Sequence, residues 1–591
     1  MNTSNTKTGG AAQPERRLQG RAWPRLTGVV VGAALFNGLL SVPIRRPRIF
    51  GDELIYWQLA RGFAWTGHFT VRGGAAPRYG LIYPALLAAA QRIGSDQTTA
   101  YAIAQGLNAV MFSLTAIPVY LIAARVLKRR HALFAGLLAV VVPSCIYTSA
   151  IFTENAFYPL FVTSVLLMVR ALERPSASRQ LLVAAAVAAT FLVRAQAVVL
   201  LPSYLVAAVL LAVLRSGGRR RSALAAAVRQ QAPTIALLLL AGVAAAAIPG
   251  RSTLGPYHVL VTSYGPRPLV HWGLANLADL ELYLGVIPLA AFGILLVHAL
   301  SPARLSVELH RLVLLTACVG AGLLATVAAL STSQYGLGRV HERNLFYLAP
   351  LVLICFFAWL EAGTPRTRRT AAAVAVAVAL LPLTIPATVV GVSGEDGIAI
   401  LLWEDMEIRH SFAIAGMVVV AGIAAAVFLR SRRPAVLVGV CLVALAATTV
   451  AGEVHAVDSI AFRAGWRDFA WIDRAVGPDA HVVALWAPTK RERVYWRIEG
   501  VWADEFFNRS VGDVASSDGP LPDGLPLAEM KIRPNGCLDA AFPWRAQYAV
   551  VETVRPLTAP VVRISPSKRA VLYRLGAQAS DHRCFARLRR R

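Results

Sequence analysis

Long apolar runs, separated by short polar stretches, repeat along most of the chain. A run of about 20 apolar residues is long enough to cross a bilayer as a helix, and the pattern predicts about thirteen such spans. We place them at residues 26–44, 102–124, 132–149, 154–172, 180–194, 197–214, 233–249, 277–299, 311–330, 344–360, 371–390, 412–429 and 435–452. The apolar stretch 80–92 is shorter, and we expect an amphipathic helix in the membrane interface there. The pattern therefore predicts a polytopic α-helical membrane protein.

Basic residues concentrate in every second loop between these spans. The clusters lie in residues 16–25, 125–130, 170–179, 215–221, 304–311, 366–369 and 430–433. Because positively charged loops remain in the cytoplasm, we expect the N-terminal tail 1–25 to be cytoplasmic. The loops predicted to face outward are 45–101, 150–153, 195–196, 250–276, 331–343 and 391–411. An odd number of spans also puts residues 453–591 outside.

The composition agrees with a membrane location. Of the 591 residues, 56% are hydrophobic and only 15% are charged, whereas about a quarter of a soluble protein is charged. The net charge of +27 comes largely from the loops predicted to be cytoplasmic, so it does not indicate a nucleic-acid partner. We expect the surroundings of residues 26–452 to be membrane lipid.

The C-terminal residues 453–591 have a different character. Their charge density rises, and "HVVALW", "AQYAVVETV" and "RAVLYRL" have the composition of strands. The stretches 462–474 and 491–507 are predicted to be helical. These patterns predict a small extracytoplasmic α/β domain. Cys537 and Cys584 lie in it, and either a disulfide between them or two free thiols agrees with the sequence.

Two adjacent carboxylates stand out in the first outer loop, in "RIFGDELIYWQLARGF". Asp52 can cap a helix that starts at Glu53 by accepting from backbone N–H groups. It can also act as a general base that takes a proton from an attacking hydroxyl. The two roles do not exclude each other, because one of the neighbours can cap while the other acts in catalysis.

A third acid, Glu154, lies between two apolar spans in "IFTENAFYPL". An ionisable group at the edge of the membrane is costly, so it is a candidate functional residue, although a helix cap is the alternative. Glu154 facing Asp52 would hold a divalent cation, Mg²⁺ or Mn²⁺, or would orient an acceptor. No histidine stands at a spacing that completes a metal-binding motif.

Arginines on outward loops run against the charge bias and need a reason. Arg194 lies between two apolar segments, and Arg339 and Arg343 precede a span together with His341 and Glu342. Snorkelling towards lipid phosphates is one explanation. The other is binding of a phosphate carried on a lipid, which suits the guanidinium fork. Arg78, Tyr79 and His341 are candidates for positioning the substrate.

This arrangement resembles the GT-C superfamily of membrane glycosyltransferases that use lipid-phosphate-linked sugars. It is similar in layout to the protein O-mannosyltransferase and aminoarabinose transferase branches, over both the span core and the outward tail. The most specific part is "GDELIYWQLARGFAWTGHF" followed by "PRYGLIYPALLA". "ERNLFYLAP" is similar to the family's Glu-Arg-Tyr motif, with Asn344 in place of the tyrosine and Tyr347 three positions later. The first loop has "APRYG" where the family usually has Lys-Pro-Pro.

The resemblance implies residue roles and a function. Asp52, with Glu53 adjacent, corresponds to the acid that acts as base or positions the acceptor, and Glu154 to the second acidic motif. Arg194 and Arg343 correspond to basic residues near the donor phosphate, with Arg339 as a further candidate. The implied function is an inverting glycosyltransferase that moves a hexosyl or pentosyl group in cell-envelope assembly. The donor is a polyprenyl-phosphate sugar, and the acceptor is a hydroxyl of a glycan, a lipid or a protein.

Two other functions are compatible with a polytopic chain. A transporter or flippase of a lipid-linked saccharide would also need arginines near a lipid phosphate, but it predicts midplane charges and repeated halves. The spans carry few midplane charges and no visible repeat. A structural membrane protein without catalysis leaves Asp52, Glu154 and Arg194 unexplained together.

Overall fold

A computed structural model of the chain shows a mostly helical protein with a small sheet near the C-terminus. It describes residues 23–575 except 48–49, 73, 76–79, 248–264, 302–303, 334–335, 337, 392–393, 405–409, 462–467, 487–497, 517–524, 526–527, 531, 533–535, 539–545 and 553–555. Predictions for Arg78, Tyr79 and Cys584 concern residues outside this set.

The α-helices follow the apolar runs of the sequence. They are Trp23–Ser41, Phe50–Thr66, Ile82–Ile93, Gln97–Ser113, Ala116–Ala123, Arg129–Val140, Glu154–Glu173, Ala177–Phe191, Leu200–Leu214, Arg220–Gln230, Ala232–Ala247, Pro266–Leu284, Val286–Ala299, Val307–Thr332, Ala349–Glu361, Arg368–Ala379, Ile398–Glu404, His410–Arg430, Pro434–Ala461, Trp471–Val476 and Ile498–Phe507. Short 3-10 helices connect several of them, at Pro143–Ser149, Ala195–Val199, Glu342–Asn344, Phe346–Leu348, Leu381–Thr384, Ala387–Val389 and Gly394–Asp396.

Many of these helices are suited to a membrane. In the part of the chain that is described, seven helices are long and apolar enough to cross a bilayer, and the number rises to ten if each bent pair counts as one span. Two shorter apolar helices, Ala177–Phe191 and Phe346–Glu361, add to them. These helices confirm the polytopic class, while the count of thirteen stays a prediction. The short helix expected at 80–92 is present as Ile82–Ile93.

Two predicted spans are bent. The predicted span 277–299 comprises the end of Pro266–Leu284 and all of Val286–Ala299, which meet at 117°. Gly285 joins them with φ at 81°, a conformation that glycine adopts readily because it has no Cβ. The predicted span 132–149 bends by 50° where Arg129–Val140 gives way to Pro143–Ser149. Proline has no backbone N–H to continue the α-helical hydrogen bonds, which accounts for the change of helix type.

The chain divides into two compact units. The first comprises residues 1–40, 108–148 and 153–455, and the second comprises 41–107, 149–152 and 456–591. Aromatic side chains fill part of the first unit's interior, where the Phe346 ring lies 5.0 Å from Tyr158 and 5.8 Å from Tyr147 between centroids. Ring packing of this kind fixes the helices that carry the polar residues described below.

A mixed six-stranded sheet forms part of the second unit. Its central strand Val482–Trp486 pairs in parallel with Val511–Ser516 and Tyr548–Glu552. Ala528–Glu529 pairs in parallel with Val511–Ser516. On the other side, Ala570–Arg574 pairs antiparallel with Tyr548–Glu552, and Val561–Ile564 pairs antiparallel with Ala570–Arg574. The three predicted strands are confirmed, and Cys537 is disulfide-bonded.

Residues 45–101, the loop predicted to face outward, share this second unit with the C-terminal residues. The Trp57 indole N–H donates to the Phe506 carbonyl oxygen at 3.1 Å, and the two rings stack with centroids 5.2 Å apart. Arg72 forms a buried ion pair with Glu505, with Nε and Oε1 2.8 Å apart. The two chain segments therefore stabilise each other through an aromatic stack and a buried charge pair.

Candidate functional site

Four charged residues of the first unit come together from segments far apart in the sequence. Glu154 begins the helix Glu154–Glu173, where the helix dipole favours a negative charge. Arg194 has extended backbone, with φ −155° and ψ 127°, between two apolar helices. Arg343 lies within the 3-10 helix Glu342–Asn344, and Asp396 ends Gly394–Asp396. All four therefore stand at breaks between helices, where side chains of loop residues meet.

Glu154 is the centre of this charged cluster. Its Oε1 lies 2.5 Å from the guanidinium of Arg194 and 3.2 Å from Nε of Arg343. The side chain of Glu154 is only 2% exposed, whereas those of Arg194 and Arg343 are 16% and 13% exposed. The carboxylate is thus enclosed, and the two guanidinium groups retain access from outside the protein.

Neighbouring polar groups hold the Arg194 side chain in place. Arg194 donates to the Thr153 hydroxyl at 3.3 Å and to the Asn344 side-chain oxygen. Gln196 donates to the Asn344 carbonyl oxygen at 2.7 Å. Asn344 stands where the resembling family has tyrosine, and here it accepts a hydrogen bond from Arg194. Charge-assisted bonds of this kind orient a guanidinium better than a bare ion pair does.

Asp396 is a site residue that the sequence analysis missed. Its Oδ1 lies 3.3 Å from Nε of Arg343, and its Oδ2 lies 3.9 Å from Arg339 and 4.0 Å from Nδ1 of His341. It belongs to the loop 391–411 that was predicted to face outward. The signal in the sequence was an acid in "GVSGEDG", on the same predicted side as Arg343.

Burial determines the charge state of two neighbouring groups. It lowers the pKa of His341, an effect that Asp396 offsets only in part, and His341 is therefore neutral near pH 7. Burial, together with the nearby Asp279, raises the pKa of Glu342 well above its ordinary value. Glu342 also accepts from the Ala399 N–H at 3.1 Å. Neutral His341 adds no positive charge beside Asp396, so the cationic groups near the cluster are the guanidinium groups of Arg194, Arg343 and Arg339.

Tyr347 does not take the place of the tyrosine in the family's motif. It is fully buried in an aromatic group, with its ring 4.7 Å from Phe157 and 4.3 Å from Phe346 between centroids. This packing helps to fix the turn that carries Arg343, and we assign Tyr347 a structural role.

Asp52 and Glu53, the two acids of the first loop predicted to face outward, lie in the second unit. The helix there begins at Phe50, so both Asp52 and Glu53 belong to its first turn, and Asp52 does not precede a helix that starts at Glu53. Glu53 is fully buried and accepts from the Ile151 N–H at 2.7 Å and the Tyr101 hydroxyl at 3.4 Å. Asp52 is partly exposed. Glu53 therefore has a structural role in the interior, whereas the Asp52 side chain remains accessible.

The described carboxylates do not form a metal centre. Among residues that the structure describes, no three of His, Cys, Asp and Glu are grouped to hold a metal ion. Glu154 and Asp396 each face arginine, and a guanidinium repels a cation. We therefore derive no catalytic step through a metal.

Comparison with protein families finds one match. Residues 79–245 match the family model described as dolichyl-phosphate-mannose-protein mannosyltransferase. This segment includes Glu154 and Arg194. A search of curated proteins finds no match.

Solved structures resemble the chain over nearly its whole length. The structure of ArnT from Cupriavidus metallidurans bound to undecaprenyl phosphate matches with TM-score 0.52 at 14% identity, covering 93% of this chain and 97% of that one. Its apo form matches with TM-score 0.49 at 15% identity, covering 94% and 99%. The apo oligosaccharyltransferase from Archaeoglobus fulgidus matches with TM-score 0.44 at 12% identity, covering 88% and 69%. The chain is thus similar in fold to the undecaprenyl-phosphate-bound ArnT structure, which confirms the predicted fold class of a polytopic helical protein with a small C-terminal sheet domain.

Proposed function

We propose that the chain is a membrane glycosyltransferase that moves a sugar from a polyprenyl-phosphate donor to an acceptor hydroxyl. The observation that carries this proposal is the convergence of Arg194 and Arg343 on Glu154. The family match over residues 79–245 and the similarity in fold to a structure that contains undecaprenyl phosphate support it. The reaction takes place at the outer face of the cytoplasmic membrane, in the assembly of a cell-envelope glycan or glycoconjugate.

The charge of the cluster suits a phosphate ligand. Three guanidinium groups, those of Arg194, Arg339 and Arg343, face two carboxylates, so positive charge is in excess. A guanidinium binds phosphate oxygens in a bidentate manner. The same groups stabilise the negative charge that grows on the phosphate as it leaves the sugar. Glu154 holds both arginines in the orientation that this requires.

The reaction is a single displacement of polyprenyl phosphate from the anomeric carbon by the acceptor hydroxyl. The acceptor oxygen forms a bond to the anomeric carbon as the bond from that carbon to the phosphate oxygen breaks. Asp52 takes the proton of the acceptor hydroxyl as general base, and the electron pair of the broken bond leaves with polyprenyl phosphate. Attack from the face opposite to the leaving group inverts the anomeric configuration.

A lipid-linked donor fits the proposed location. Nucleotide sugars are made in the cytoplasm, so a donor used outside must arrive on a carrier that crosses the membrane. The sugar is a hexosyl or pentosyl group, and the acceptor is a glycan, a lipid or a protein. The C-terminal residues of the second unit would select the acceptor, since they pack with the loop that carries Asp52.

The experiment uses the full chain in vesicles with radiolabelled polyprenyl-phosphate sugars and a mixture of acceptors. We expect label to move from lipid to acceptor, and Arg343→Gln to reduce transfer by about 100-fold, the size found when one transition-state donor is removed. Arg304→Gln is the matched control, because Arg304 is exposed on a different loop. Passage of the intact donor across the vesicle without transfer would instead support a flippase and contradict the proposal.

A further inference from the structure

A basic groove lies at the far end of the helix that begins with Glu154. It encloses about 410 Å³, and its polar lining comprises Arg125, Arg170, Glu173, Arg174 and Arg179. Arg125 follows the helix Ala116–Ala123, Arg170 and Glu173 belong to the last turn of Glu154–Glu173, Arg174 follows that turn, and Arg179 lies at the start of Ala177–Phe191. The groove therefore lies at the opposite end of the helix Glu154–Glu173 from the charged cluster.

Two of its arginines are tied to the protein. Nε of Arg125 lies 2.8 Å from Oε1 of Glu173, and this pair is about one quarter exposed on each side. Arg179 donates to the carbonyl oxygen of Arg174 at 2.7 Å, at the C-terminal end of the helix, where the dipole favours a cation. These bonds fix the walls of the groove. The ion pair with Arg125 also occupies Glu173, the one carboxylate in the lining of the groove.

The other two arginines have no such partner. Among the residues that the structure describes, the guanidinium groups of Arg170 and Arg174 make no hydrogen bond or ion pair, and both residues are exposed. Glu173 neutralises only one of the four arginines. The groove thus presents excess positive charge and two unengaged guanidinium forks, the arrangement that binds a phosphate oxygen pair.

One wall of the groove is apolar and borders the membrane-spanning part of the helices. Leu167 and Leu182 line it, and Leu182 is 52% exposed. Leu181 beside it is 53% exposed. Exposed leucines on a helix of a membrane protein contact acyl chains, and the basic residues follow where the apolar run ends. The groove thus joins a phosphate-binding end to an acyl-binding wall.

We infer that this groove binds the headgroup of an anionic glycerophospholipid of the surrounding bilayer. The phosphodiester lies between Arg170 and Arg174, and an acyl chain lies along Leu167 and Leu182. A soluble phosphate would use only the arginines, whereas a lipid uses both parts of the groove. Basic pockets between membrane helices on the cytoplasmic side are suited to such headgroups, and residues 125–130 and 170–179, which supply the arginines, are both predicted to be cytoplasmic.

The test measures lipid binding to the purified full chain by native mass spectrometry. Short-chain phosphatidylglycerol and phosphatidylcholine are titrated against the wild type, Arg170→Gln/Arg174→Gln and the control Arg219→Gln/Arg220→Gln, whose arginines are exposed on another basic loop. We expect preferential binding of phosphatidylglycerol, a loss of affinity of about tenfold in the first variant, as for one lost charge-assisted bond, and none in the control. Equal affinity in the wild type and the first variant would overturn the inference.

Two further experiments are needed. One distinguishes binding of a lipid from binding of a soluble phosphate, and the other tests the lipid site independently of the proposed donor site. Inorganic phosphate and glycerol phosphate are added as competitors, and displacement of the lipid by either at equal concentration would show a soluble-anion site and overturn the inference. If the double variant unfolds in detergent, the single variant Arg174→Gln replaces it, with a loss of at least about threefold expected. Sugar transfer in phosphatidylcholine vesicles is expected to be the same in the double variant as in the wild type. The lipid-binding result therefore tests the groove, and the transfer result tests the proposed donor site, each independently of the other.

Discussion

Nε of Arg343 lies 3.3 Å from Oδ1 of Asp396 and also contacts Glu154 at 3.2 Å. One guanidinium nitrogen thus faces two carboxylates, and the phosphate of the proposed donor would compete with them for this nitrogen. We expect Asp396→Asn to tighten binding of polyprenyl phosphate by about fivefold, because removal of one competing charge is equivalent to about 1 kcal/mol. Equilibrium binding of the labelled lipid measures this. Weaker binding than in the wild type would show that Asp396 orients Arg343 and does not compete with the ligand.

Glu154 is enclosed between two arginines, so its loss leaves positive charges facing each other. We expect Glu154→Gln to lower the free energy of unfolding by about 3 kcal/mol, the size found when one partner of a buried ion pair is removed. Thermal denaturation in detergent measures the change. The double variant Glu154→Gln/Arg194→Gln should recover part of the loss, and a loss that is simply additive would contradict the coupling.

Asp52 and Glu53 are expected to respond differently to substitution. Asp52→Asn should reduce transfer by 100-fold or more, about the contribution of a general base, and should lower the free energy of unfolding by no more than about 1 kcal/mol, the value of an acid in the first turn of a helix. Glu53→Ala should lower the free energy of unfolding by about 1–3 kcal/mol, because it leaves the Ile151 N–H without its acceptor. Transfer and unfolding are measured on the same preparations. A fully active Asp52→Asn protein would remove Asp52 as the base.

The buried ion pair Arg72–Glu505 should contribute more to the free energy of unfolding than an exposed ion pair in the same unit. The two side chains are 2% and 0% exposed, and we expect Glu505→Gln to cost about 3–5 kcal/mol of unfolding free energy. Asp479→Asn is the control, since Asp479 is 87% exposed in its pair with Arg509, and it should cost less than about 1 kcal/mol. Equal effects in denaturant titrations would contradict the importance of burial.

Asp504 predicts a dependence of stability on pH. Burial raises its pKa to about 7, and the hydrogen bond from the Trp471 indole, at 2.9 Å, offsets this only in part. Between the ordinary pKa of an aspartate, about 3.9, and this value, the folded protein holds a proton that the unfolded chain has lost. Stability should therefore fall as pH rises from about 4 to 7, by on the order of 2–4 kcal/mol. Asp504→Asn should remove this slope in unfolding measured across pH.

Much of the fold and part of the site followed from the sequence. Hydropathy predicted most helices because burial in a membrane requires unbroken apolar runs. Glu154, Arg194 and Arg343 stood out because a charge at the end of an apolar span is costly. The ion pairs that bring them together link distant segments, so no local pattern specified them.

Three features of the structure, a helix bend, an exposed strand and one site residue, could not be predicted from the hydropathy or charge pattern of the sequence. The bend at Gly285 lies between apolar stretches of similar character, and hydropathy does not register a change of direction. The strand Val561–Ile564 is exposed along its length and lacks the alternation that marks a half-buried strand. Asp396 was missed because its loop carries several polar residues, and only its neighbour in space, Arg343, sets it apart.

The contact between Arg72 and Glu505 also bears on how the protein is made. The two residues are 433 positions apart, so the first outer loop leaves the ribosome long before its partner exists. During that interval Arg72 and Trp57 lack the groups that bury them in the finished protein. Folding of the second unit must therefore wait for nearly the whole chain, and the loop that carries Asp52 reaches its final packing only at the end of synthesis. An incomplete chain thus lacks the packing that holds its proposed catalytic base.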